Sequence, residues 1–300
     1  MTQPLRFALN RMVAPHLPLA DFLDLALALK IDGVELRNDL KGVEIEDGTP
    51  PEQVRELCEQ RGIRLLSINA LYPFDLWDEQ RRQQLLHLAG YARACGAEGL
   101  VLCPLNDPGD RRSAGQRAQG LTAALTRIAE VLRQHGLRGF VEPLGFAECA
   151  LRDKRSAVDA IRAVGALDVL SLVHDTFHHT LAGEPQLFAE LTGLVHLSGV
   201  EGPPLPLAAL RDGHRVLVGA ADRLGNTTQI AALLAGGYRG YLSFEPFAAS
   251  VHDRPDLQQA LERSIRHLRQ ALACPPCRRR QAGFRTKNSE SAVWPLKEHR

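Results

Sequence analysis

Short apolar runs and longer amphipathic stretches alternate along the chain from residue 5 to residue 272. The runs Leu5–Leu9, Val34–Leu36, Ile63–Ala70, Gly99–Cys103, Gly139–Glu142, Val169–Asp175, Leu194–Leu197 and Gly240–Phe244 are nearly continuous in hydrophobicity and too short for buried helices, so they read as strands. Between them apolar residues recur with a helical period: Pro18–Lys30 places Leu19, Phe22, Leu23, Leu25, Ala26 and Leu29 on one side. The same pattern predicts helices over 50–61, 77–95, 113–135, 153–164, 184–191, 227–235 and 254–272. Thr49 is placed to cap the second of these eight helices, and Gly62, Gly96 and Gly136 stop the second, third and fourth. Residues 201–225, rich in Gly and Pro, read as an irregular loop.

Strict strand-then-helix alternation implies a parallel sheet, and eight such units imply a closed (β/α)8 TIM barrel. An open dinucleotide-binding sheet would carry a Gly-rich turn after its first strand, whereas Leu9-Asn10-Arg11-Met12-Val13 has none. No composition shift interrupts the series, so residues 1–273 are expected to form one catalytic domain.

Composition adds limits. With 45% hydrophobic residues the chain can bury a large core. No apolar run approaches the roughly 20 residues that span a bilayer, and no basic then apolar leader opens the chain, so a cytoplasmic location is expected. From Cys274 onward seven Lys/Arg face two Glu, without a periodic apolar face, which predicts a disordered, dispensable tail over 274–300. The remaining body holds 29 basic and 33 acidic residues, against the basic stripe of a nucleic-acid enzyme. Neither nucleic acid nor membrane is expected as a partner, and homo-oligomerisation is left open. Cys58, Cys95, Cys103 and Cys149 read as reduced packing residues; Cys274-Pro-Pro-Cys277 has metal or redox spacing but lacks the second pair or setting that would make it a site.

The candidate chemistry lies at strand ends. Glu142 and Glu245 each close a predicted strand and are each followed by Pro, which lacks the N–H a ladder needs. Asp175 ends the sixth strand and His196 the seventh. In a TIM barrel four such residues on four consecutive strands share one pocket, and three carboxylates with one imidazole suit a single divalent ion: Mn, Mg, Co or Zn. His178, three residues past Asp175, should overhang that pocket, whereas His174 should point toward the helices. Glu35 and Asn69 lie near the exits of strands two and three and are candidate substrate contacts, with a loop ion pair as the alternative for Glu35. Arg215 would either hold a substrate oxygen or remain a solvated loop charge.

The Glu-Pro of strand five, Asp175-Thr176-Phe177-His178, the His of strand seven and Phe244-Glu245-Pro246 together resemble the xylose-isomerase-like TIM barrels. That superfamily includes sugar isomerases, ketose 3-epimerases, inosose dehydratases and type IV apurinic endonucleases; His-Asp-Thr-Phe-His-His is most like the 2-keto-myo-inositol (inosose) isomerases. The resemblance covers residues 5 to about 272. It implies carbohydrate or inositol catabolism, acid/base roles for Glu142 and Glu245, and a contact of His178 with a substrate oxygen. One departure is His196-Leu197-Ser198-Gly199, where many relatives carry an acidic residue after the histidine.

Four functions are weighed. The first is an isomerase or epimerase of a polyhydroxylated ketone, working by proton transfer through an enediolate. The second is a dehydratase-type lyase of the same fold, in which the enolate expels a β-hydroxyl. The third is an apurinic endonuclease, which would want extra His ligands and a basic groove. The fourth is a metal-stabilised barrel without catalysis. The first is the expectation.

Overall fold

The eight apolar runs close into a ring. The computed structural model describes residues 4–273 and holds β1 (Arg6–Asn10), β2 (Gly33–Arg37), β3 (Arg64–Leu71), β4 (Gly99–Leu102), β5 (Arg138–Val141), β6 (Leu170–Asp175), β7 (Thr192–Leu197) and β8 (Tyr241–Phe244). They pair in sequence order, all parallel, and β8 returns to β1 with Arg6 beside Tyr241 and Leu9 beside Phe244. This is the predicted (β/α)8 TIM barrel. The sequence-predicted tail over 274–300, with Cys274 and Cys277, lies outside the described residues.

Helices α1 (Leu19–Ala28), α2 (Pro51–Arg61), α3 (Glu79–Cys95), α4 (Ala114–His135), α5 (Lys154–Ala163), α6 (Thr176–Ala182), α7 (Asn226–Ala235), α8 (Ala249–His252) and α9 (Leu257–Ala273) complete the described chain. Local chemistry sets most boundaries. Ser113 and Gln116 form a reciprocal capping box at the start of α4, and Asp78 and Asp153 cap α3 and α5. Gly96 and Gly136, at φ 80 and 66, end α3 and α4 in the left-handed conformation that a side chain would strain.

Three boundaries depart from expectation. Thr49 does not cap α2: Pro50 stands at the cap position and makes no side-chain cap bond. Residues 184–191 hold only a 3-10 turn, Ala189–Leu191, and the helix of this unit is α6, which begins directly after β6. The reason is Asp175, whose Oδ1 accepts hydrogen bonds from the backbone N–H groups of Phe177 and His178 at 2.7 and 2.9 Å and so nucleates a helix at once. The last predicted helix, α9, begins at Leu257 instead of Arg254, and the separate short helix α8 precedes it.

Strand alternation sorts side chains into two layers. Leu9, Val34, Leu36, Leu172, Val195, Leu197, Leu242 and Phe244 face outward and join the helices in the main core. Ala8, Leu66, Val101, Phe140, Val173, Leu194 and Tyr241 face inward and plug the barrel floor. Two residues further along the same inward rows come Asn10, Glu142, Asp175, His196 and Ser243, so the apolar plug becomes polar one layer up. His174 faces outward as expected, where its ring nitrogens meet Lys154 Nζ at 2.8 Å and Gln229 Oε1 at 2.9 Å. Burial and the neighbouring Lys154 cation push this imidazole well below its ordinary pKa.

Candidate metal centre

Glu142 follows the last residue of β5, Asp175 ends β6, His196 is next to last in β7, and Glu245 follows the last residue of β8. Register holds them level: Asp175 pairs with His196, and His196 with Ser243. The Glu142 and Glu245 N–H groups still bond the neighbouring strands, to Leu102 and Leu197 carbonyls at 3.0 and 2.8 Å; Pro143 and Pro246 then end the ladder. One ligand atom from each of the four side chains lies within 4.8 Å of all the others, and all four residues are buried.

The charge balance fits a cation. Four buried carboxylates (Glu35, Glu142, Asp175, Glu245) converge with two buried guanidiniums, Arg37 and Arg215, which are also engaged by Asp39 and Asp212. Excess negative charge in a low-dielectric interior needs a counterion, and three hard oxygens with one imidazole nitrogen suit one divalent ion. Burial would discharge His196, but Glu245, Glu35 and Glu142 outweigh it and raise its pKa well above the ordinary value.

Each ring nitrogen of His196 has its own side. Nδ1 lies 2.9 Å from Glu142 Oε1 and 3.2 Å from Glu245 Oε2, on the ligand side. Nε2 lies 3.2 Å from Glu35 Oε2, on the barrel-floor side. Glu35 also accepts from Ser67 Oγ at 2.6 Å, from Ser243 Oγ, and from Asn10 Nδ2 at 3.5 Å. The expectation that Glu35 faces the rim as a substrate contact is thus corrected: it is 0% exposed, beneath the imidazole, and does not line the cavity. This is the geometry of a carboxylate that orients a ligating histidine. Strand periodicity shows that Glu35 points inward but not at what depth.

Above the cluster opens a cavity of about 280 Å³. Its wall includes Asn69, His178 and Arg215 together with Glu142 and Glu245, so these predicted residues come together in one place. His178 stands in the first turn of α6, 4% exposed, and its Nδ1 has no hydrogen-bond partner among the described residues. Gly145 packs against the His178 carbonyl with no room for a Cβ, which brings the β5–α5 loop down beside it. Asn69 Nδ2 reaches Glu245 Oε1 at 3.3 Å.

Arg215 is not a solvated loop charge. It is 1% exposed, its Nη2 donates to Asp175 Oδ2 at 2.6 Å and Glu245 Oε2 at 2.8 Å, and its Nε donates to Ser198 Oγ at 2.9 Å. The loop is pinned by reciprocal hydrogen bonds between Gly199 and Val216 at 2.7 and 2.8 Å. Ser198, in the stretch that departs from the family pattern, thus serves as the acceptor for Arg215.

Arg37 and Cys103 are among the cavity residues whose part in the site escaped the sequence reading. Arg37 lies two residues after Glu35, hence on the same inward face, and that spacing was the available signal. Its Nη1 donates to Glu245 Oε1 at 2.8 Å, while Nε and Nη2 grip both oxygens of Asp39 at 2.8 and 2.7 Å. Cys103, a free cysteine packed against the inner apolar plug as expected, also lines the cavity, and its thiol donates to Glu142 Oε2 at 3.3 Å. Burial and Glu142 raise that thiol well above its usual range, so it stays protonated. Burial alone would raise the Glu245 carboxyl, but His196, Arg215 and Arg37 hold it well below the usual carboxylate range.

Fold and site together define a TIM barrel whose strand ends carry a buried cluster fit for one divalent cation beneath a cavity of mixed charged and apolar walls. Residues 23–271 match the xylose isomerase-like TIM barrels, and the chain belongs to that family. It is 33% identical to a xylose isomerase domain containing protein from Salmonella typhimurium LT2, whose crystal structure aligns with a TM-score of 0.82 over 91% of this chain and 99% of that one. Over 264 residues it is 28% identical to a 3-dehydroshikimate dehydratase of Pseudomonas aeruginosa, covering 83% of this chain but only 40% of the relative's length. Over 225 residues it is 23% identical to an inosose isomerase of Halalkalibacterium halodurans, covering 72% of this chain and 78% of that protein. No helix among the described residues is long and apolar enough to cross a membrane.

Proposed function

We propose that this protein is a divalent-metal-dependent isomerase of a polyhydroxylated cyclic ketone of the inosose type, working by proton transfer through an enediolate. The observation that carries the reading is two glutamates, Glu142 and Glu245, set among the four donor atoms and open to one small cavity. A volume of about 280 Å³ falls just below the roughly 300–1,000 Å³ of drug-sized pockets, which suits a single sugar-sized ring.

A divalent ion held by Glu142, Asp175, His196 and Glu245 would supply Lewis acidity toward a carbonyl and its neighbouring hydroxyl. The chain's own residues do the rest. Glu142 or Glu245 takes the proton from the carbon next to the carbonyl. His178, whose Nδ1 has no partner among the described residues, and Asn69 bind substrate hydroxyls. Arg215 places positive charge beside the oxygen that becomes anionic. Tyr72, Phe146 and Phe247 give the cavity apolar flanks that restrict water.

The similarity to a 3-dehydroshikimate dehydratase favours a second reading, a lyase in which the same enolate expels a β-hydroxyl as water. One experiment separates the two. The Mn2+-loaded protein is incubated in D2O with inososes, ketoses and 3-dehydroshikimate and followed by NMR. Isomerisation predicts a positional isomer with deuterium at the carbon next to the carbonyl. Loss of water supports the lyase. Product without label argues for a hydride shift, and cleavage of abasic DNA with no turnover of any ketone would overturn both readings.

A further inference from the structure

The two glutamates are not equivalent. Glu245 is gripped on both oxygens: Oε1 accepts from Arg37 Nη1 at 2.8 Å and Asn69 Nδ2 at 3.3 Å, and Oε2 accepts from Arg215 Nη2 at 2.8 Å. Glu142 touches no guanidinium among the described residues. Its Oε1 faces His196 Nδ1 at 2.9 Å, and Oε2 meets one side-chain donor among the described residues, the Cys103 thiol at 3.3 Å. A thiol is a weak donor, whereas a guanidinium donates a strong, charge-assisted hydrogen bond. Arg37 is itself aimed. Asp39 holds its Nε and Nη2 edge bidentately, which leaves Nη1 directed at Glu245. A carboxylate oxygen whose lone pairs are taken by fixed N–H donors has no position from which to meet a carbon-bound hydrogen; Glu142 Oε2 does.

From this asymmetry we propose that proton transfer in this barrel is one-sided: Glu142 alone carries the proton, and Arg37 is a positioning residue that keeps Glu245 a fixed anionic ligand. The inference rests on the proposed ketone isomerisation. In the step, the C–H bond next to the carbonyl breaks. Its proton goes to Glu142, and its electron pair forms the C=C of the enediolate. The hydroxyl proton passes from the oxygen of that carbon to the former carbonyl oxygen, and Glu142 returns its proton to the former carbonyl carbon on the same face. Atoms and charge balance without a further reactant. The product is a positional isomer, or after syn loss of a β-hydroxyl a dehydrated ketone, but never the epimer at the exchanging carbon. An epimer needs a second proton carrier on the opposite face.

The test is the stereochemistry of exchange by the Mn2+-loaded full chain in D2O, on whichever inosose or ketose of the panel it turns over. Wild type is expected to label one face only and to retain configuration at the labelled carbon. Glu142→Gln should slow exchange by about 10³-fold, the scale of a lost general base. Glu245→Gln, at metal occupancy checked by elemental analysis, should slow it by less than about tenfold. Arg37→Ala should begin to form the epimer, because Glu245 Oε1 loses its charged donor and keeps only the 3.3 Å contact of Asn69; Arg37→Lys, which keeps one cation on Glu245, should suppress the epimer again. A purely structural role for Arg37 would lower rates without changing the product's configuration, and that result would overturn the assignment. Epimer formation by wild type would overturn the one-sided mechanism while leaving the isomerase reading intact. Absence of exchange on the whole panel would overturn both.

Discussion

Glu35→Gln isolates the carboxylate beneath His196 with almost no change in volume. In the wild type Glu35 Oε2 lies 3.2 Å from His196 Nε2 at a site with no solvent exposure. A unit-charge pair at that distance, with an effective dielectric constant near 20, interacts by about 5 kcal/mol, which is a ceiling. Ser67 and Ser243 already satisfy part of the carboxylate, and a glutamine oxygen can still accept the Nε2–H, so the loss should fall well below it. Removing a carboxylate that orients a ligating histidine typically weakens metal binding 10–100-fold, or about 1.4–2.8 kcal/mol. Competition with a chromophoric chelator at fixed pH would measure the Mn2+ and Zn2+ affinities, with circular dichroism as a check that the barrel is intact. An affinity within twofold of wild type, in a folded variant, would refute the reasoning: Glu35 would then be a filler of the barrel floor and not a partner of His196.

The other expectations are briefer. Asp175→Asn and His196→Ala should lose bound divalent metal by elemental analysis, and full occupancy in both would remove them from the ligand set. Arg215→Ala leaves Asp175 and Glu245 short of a buried cation; breaking such a pair costs about 3–5 kcal/mol, so denaturant melts in chelator should show a loss that saturating Mn2+ partly restores. The metal-free protein should respond to pH through His196, whose folded pKa is raised well above 6.5. The stability it contributes is full below its unfolded pKa and is lost as pH rises through the folded value; chelator-treated melts across that range should show the decline, and added Mn2+ should reduce it.

Much of this was legible before any coordinates. The alternation of apolar runs with amphipathic helices specified the barrel, because a parallel strand buried on both faces must be apolar throughout and a covering helix must be apolar on one side. The same reading located Glu142, Asp175, His196 and Glu245, since a TIM barrel brings all its strand ends to one mouth. It also sent His174 outward, by the period of two.

What the sequence could not convey is depth and pairing. Glu35 belongs one layer below the mouth because β2 pairs with β3 and β1 in a register that no local signal encodes. The helix after Asp175 was missed because its cap is the same carboxylate that reads as a ligand. Arg215, Ser198 and Asp175 are distant in the chain, and only closure of the ring and pinning of the 201–225 loop bring them within hydrogen-bond reach. The difference between Glu142 and Glu245 has the same origin. Both precede a proline at a strand end, yet Arg37 meets only Glu245, because ring closure places β8 and β2 on either side of β1. Local pattern sets which residues face inward; long-range register and loop anchoring set which charges touch.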